Sequence, residues 1–149
     1  MKPRTQFFIA LGFLLLILGI AWVAFPERNQ ELEQVFPATI NRDCAPWDGS
    51  AFTVSIPMSD GASIAVSIYQ SPDIKLPITF SFPDEIMSVG NALYLSQVSS
   101  SEQLTGKVSF QRVEENSPVE GEFNFMTESG KQFKGRFIAE WNNQIVYCG

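Results

Sequence analysis

Two regimes of hydrophobic patterning divide this chain. Residues 7–25 are apolar without interruption, and as a helix they would span about 28 Å, close to the hydrocarbon thickness of a bilayer. From residue 51 onward the pattern switches to alternation. Phe52, Val54 and Ile56 face one way with Thr53 and Ser55 between them, and Ile64, Val66 and Ile68 repeat it with Ser63 and Ser67 opposite. A period of two on a half-polar segment predicts antiparallel strands with one face in a core.

Turn chemistry sets the register. Ser59-Asp60-Gly61 fits a three-residue loop with glycine at the left-handed position, pairing Met58 with Ala62, Ile56 with Ile64 and Val54 with Val66. Glu128-Ser129-Gly130 places glycine likewise and pairs Thr127 with Lys131. Counting back sets Phe125 opposite Phe133, Phe123 opposite Gly135, Gly121 opposite Phe137 and Glu122 opposite Arg136, with a ring over each glycine. A weak repeat runs through Gly106, Gly121 and Gly135, each in the middle of one strand. Asn142-Asn143 predicts a last turn, which would pair Trp141 with Gln144 and bring Cys148 opposite Phe137.

Residues 76–82 alternate and are bounded by Pro77 and Pro83, as in a short or edge strand, and 92–98 is a further candidate. The expected fold is therefore all-β: an N-terminal transmembrane helix followed by an antiparallel meander of about eight strands, with a barrel favoured over a sandwich. The expected division is a cytoplasmic terminus 1–6, a span 7–25, a juxtamembrane linker 26–43 and a β domain 44–149.

Lys2 and Arg4 precede the apolar run and no cation follows until Arg28. The positive-inside rule then puts the β domain on the extracytoplasmic side of a plasma (inner) membrane. Trp22 and Phe25 fall at its outer end, where aromatic rings sit at headgroup level. The run is longer than the apolar core of a cleaved signal, which favours a retained anchor over cleavage near Gly19 and Ala21.

In that compartment Cys44 and Cys148 are expected to form a disulfide. By the chain-entropy model a loop of roughly 100 residues gains at most about 4.7 kcal/mol. Joining the two ends of the domain also favours closure into a barrel.

Composition narrows the chemistry. There is no histidine, which removes the usual general base and the commonest transition-metal ligand. With Lys2 and Arg4 on the inner side, eight cations face sixteen acids, so no nucleic-acid partner is expected. The neighbours Asp84-Glu85 and Glu114-Glu115 lie in loop-like sequence, where solvation explains them. Asp43 and Asp48 lack the alternating acidic spacing of a calcium loop, and no nucleophile-elbow motif occurs. No enzymatic activity, metal or cofactor is expected. Two functions fit: an accessory or scaffolding subunit of a larger membrane protein complex, or a barrel that binds a lipid, pigment or other apolar ligand. Trp47, Tyr69, Tyr94 and Tyr147 are the candidate contact residues.

Overall fold

The computed structural model describes residues 34–84, 89–96, 101–142 and 144–149. Nine strands follow one another: β1 (Val35–Cys44), β2 (Ser50–Pro57), β3 (Ser63–Ile68), β4 (Ile78–Phe82), β5 (Gly90–Leu95), β6 (Glu102–Gln103), β7 (Thr105–Phe110), β8 (Val119–Met126) and β9 (Gln132–Asn142). They form one sheet in the order β4-β7-β8-β9-β1-β2-β3-β5-β6, curled into a half-barrel. The fold is all-β. Among the described residues no helix is long and apolar enough to cross a membrane; the expected span 7–25, with Trp22 and Phe25, lies outside them.

Both glycine turns form as the sequence predicts. Gly61 has φ 76° and Gly130 φ 88°, and Met58 and Thr127 donate their N–H groups to the carbonyls of Ala62 at 2.8 Å and Lys131 at 3.0 Å. The registers follow: Val54 faces Val66 and Ile56 faces Ile64, while Gly121 faces Phe137, Phe123 faces Gly135 and Phe125 faces Phe133. β4, between its two prolines, is an edge strand.

Three expectations are corrected. The sheet begins at Val35, so residues 35–43 are strand where a linker was expected. β1 lies between β2 and β9 and runs parallel to β9, so the sheet is not a purely antiparallel meander. The C-terminal hairpin does not form: Trp141 pairs with Ile40 of β1, Phe36 and Gly121 are the residues opposite Phe137, and 144–149 is not strand. β1 satisfies the free edge of β9 with seven residue pairs, leaving no edge there for a tenth strand.

Both ends of the sheet bury side chains in one core. Phe80 and Phe82 come from β4, and Ala92 and Leu104 from the β5–β6 end. Between them Phe110 packs edge-on against Phe52, Phe80 and Phe137, with ring centroids 5.7, 6.0 and 5.8 Å away. Each fully buried ring contributes roughly 1.5–3 kcal/mol through apolar burial. Ring-to-ring contact through the middle means that side chains fill the concave side.

Candidate functional site

At one pole of the sheet, where β1 and β9 end, the sequence assembles an apolar surface. Cys44 terminates β1 and is bonded to Cys148. The disulfide thus joins the end of the first strand to a tail that follows the last, and ties Cys148 of that tail to the pole. The tail exposes Ile145 (70%), Val146 (39%) and Tyr147 (87%). Three residues past Cys44, Trp47 is 57% exposed. A tight turn presents it: Ala45 N–H donates to the Gly49 carbonyl at 2.8 Å and Asp48 N–H to the Ala45 carbonyl at 3.0 Å.

Trp47 meets Tyr69 edge-on at 5.5 Å. Tyr69 immediately follows β3, and its hydroxyl accepts a hydrogen bond from Asn91 Nδ2 at 2.8 Å. Beside them is a crevice of about 60 Å³ lined by Tyr69, Pro83, Asp84, Gly90, Asn91 and Gln103. That volume suits a few water molecules, not a lipid or pigment.

Beneath the pole the framework is tied by ion pairing. Arg42 holds Glu115 through Nε at 3.0 Å and a second bond from Nη2, and Trp141 Nε1 donates to the Glu114 carbonyl at 2.9 Å. The bidentate bond from Arg42 lowers the Glu115 pKa, and Glu115 raises that of Arg42. Glu114 turns instead toward Arg112 at 3.5 Å. The neighbouring carboxylates are thereby directed to different partners. Of the other acidic pair, Asp84 is partly buried, and Glu85 lies outside the described residues.

The four candidate aromatics do not share one surface. Tyr94 sits at the opposite pole, stacked on Phe133 with centroids 5.1 Å apart. Lys131 Nζ lies 4.9 Å from each of these ring centres and donates to Asp60 Oδ2 and to the Tyr94 hydroxyl at 3.1 Å each. The Tyr94 hydroxyl in turn donates to Asp60 Oδ2 at 3.0 Å. Hydrogen bonds from Lys131, the Ala62 N–H and Tyr94 hold the Asp60 carboxyl down to about 2. The cluster bridges the β2–β3 and β8–β9 turns through β5. Its polar atoms satisfy one another, so it serves as a clasp.

Comparison with family models, with curated proteins and with solved structures finds no match to this chain. Among the described residues no group of three or more Cys, Asp or Glu side chains is placed to hold a metal ion. The hydroxyls along the outer face bond to neighbours: Thr53 Oγ1 donates to Asp43 Oδ2 at 2.7 Å and shares a bond with Ser67 at 2.8 Å. Sequence reasoning missed the exposure of Ile145 and Val146, because in a strand they would alternate between core and solvent.

Proposed function

We propose that this protein is a single-pass membrane protein whose extracytoplasmic β domain docks on a larger membrane assembly as an accessory or scaffolding subunit, using the Cys44–Cys148 pole. The observation that carries the reading is the exposure of Trp47, Ile145 and Tyr147 on segments that a disulfide and a turn hold in place. Exposed aromatic and aliphatic side chains on a preorganised surface are the usual anchors of a protein contact, since little ordering entropy remains to be lost on binding. The apolar run 7–25 supports the membrane part. The packed phenylalanine interior speaks against carriage of an apolar ligand.

Native mass spectrometry after mild detergent extraction, without reductant, tests both parts together. A full-length chain inside a complex, released by Trp47→Ala with Tyr147→Ala, is the expected result. A lone monomer, or a complex indifferent to both substitutions, refutes the docking role; a chain shortened near residue 21 refutes the anchor.

A further inference from the structure

Five of the seven cations among the described residues lie within ion-pair reach of an acid. Arg42 bonds Glu115, Lys75 approaches Asp73, Arg112 approaches Glu114, Lys131 bonds Asp60, and Arg136 lies within reach of Glu120 and Glu122. Only Lys107 and Lys134 make no ion pair among the described residues. These two lie in one row of the outer face, Lys107 opposite Asn124 on β8 and Asn124 opposite Lys134 on β9. Two strand spacings separate them, roughly 10 Å between Cα atoms.

Between them is a shallow depression of about 130 Å³, lined also by Ser109, Glu122 and Asn124. Glu122 is the one carboxylate in this lining, and Arg136 Nε stands 3.7 Å from it. The excess charge of the depression is thus positive on a chain whose net charge is −6. More distant acids matter little there, since physiological salt screens exposed charges beyond about 8 Å.

We propose that this depression is a binding site for a phosphate group, with Lys107 and Lys134 as the two charged arms and the Asn124 amide as a neutral donor between them. Lysine ammonium groups bind phosphate as point charges without the planar fork that a carboxylate favours. The group is carried either by an anionic phospholipid headgroup or by a soluble phosphate-bearing ligand. The site is on a different surface from the docking pole and stands independently of it.

The test uses the full isotope-labelled chain in zwitterionic detergent, following the amide and lysine side-chain NMR signals. Sodium phosphate is titrated against sodium chloride of equal ionic strength, and in a second arm phosphatidylglycerol is added to the micelles. Saturable shifts centred on Lys107, Asn124 and Lys134, weakened about thirtyfold in Lys107→Gln/Lys134→Gln and unchanged in Lys75→Gln, are expected. A response to phosphate identifies a soluble ligand, and one confined to phosphatidylglycerol identifies a headgroup. If phosphate acts no differently from chloride and the lipid has no effect, or if the double variant binds as the wild type does, the proposal is overturned. Both lysines are exposed, and an unchanged spectrum elsewhere verifies that the variant is folded.

Discussion

Replacing Gly135 by alanine tests the seam between β1 and β9 directly. A Cβ at residue 135 would stand 2.6 Å from Phe36 Cε2 and 2.9 Å from the Gln34 carbonyl oxygen, both inside van der Waals contact. Overpacking of this kind costs typically about 1–3 kcal/mol. Alanine also removes some freedom from the unfolded chain, which returns roughly 0.5–1 kcal/mol. The net expectation is a destabilisation of about 1–2 kcal/mol, moderated because Phe36 is only partly buried and its ring can shift. Phe36→Leu alone forfeits the edge-on contact with Phe123 at 5.5 Å and costs about 1 kcal/mol. Since the ring supplies the nearest obstruction, the double variant should be more stable than the sum predicts, by about 1 kcal/mol. Urea unfolding of the full, oxidised chain in mild detergent, followed by tryptophan fluorescence, measures all three; at an m-value of about 1–3 kcal/mol/M, Gly135→Ala moves the midpoint by roughly 0.3–2 M. An alanine variant as stable as the wild type, or strict additivity of the two changes, would show that the parallel seam is not packed in this way.

Other expectations follow from the same geometry. Gly130 has open space around it but φ 88°, so alanine there costs about 1 kcal/mol through backbone strain alone, while asparagine costs less; unfolding midpoints of the two variants check the order. The Asp60 carboxyl is depressed in the folded state to about 2. Its contribution is therefore complete above the unfolded carboxylate value near 3.9 and disappears as pH falls toward 2. Asp60→Asn should flatten part of that acid limb in a pH series of thermal melts, and an unchanged limb would rule out the clasp. Reduction, or Cys44→Ser with Cys148→Ser, should lower stability by up to about 4.7 kcal/mol for a separation of 104 residues and should also free the tail, which proteolysis between residues 143 and 147 would report.

Local signals made much of the sheet legible. Gly61 and Gly130 fix their turns because the left-handed position is cheap only for glycine, and alternation carries the register along each hairpin. β1 escaped notice for the opposite reason. Of its ten residues only Ala38 and Ile40 are buried, and its pairing with β9 joins the two ends of the domain with no turn to announce it. Ile145 and Tyr147 have strand-like composition, but the edge of β9 with which they would pair is occupied by β1. At the candidate site the disulfide is legible from the count of two cysteines and the compartment that the apolar run leads one to expect. The separation of Tyr94 from Tyr69 depends on β5 pairing with β3, which sets Tyr94 opposite Ile64 at the far end of that strand, and no turn between consecutive strands announces that pairing. Lys107 and Lys134 carry no motif; their distinction appears only once every other described cation has found its acid.

The central place of β1 has a consequence for biosynthesis. Among the described strands it is the first to be made, yet its parallel neighbour β9 is the last, so the middle of the sheet stays open until β9 has emerged. A nascent chain halted before residue 132 would hold β1, β2 and β3 with one flank of β1 unsatisfied, and exposed strand edges of that kind invite pairing with other chains. Production of this protein is therefore expected to be sensitive to premature termination and to the delay between emergence of its first strand and release of its last, and to benefit from chaperones that shield β edges during that interval.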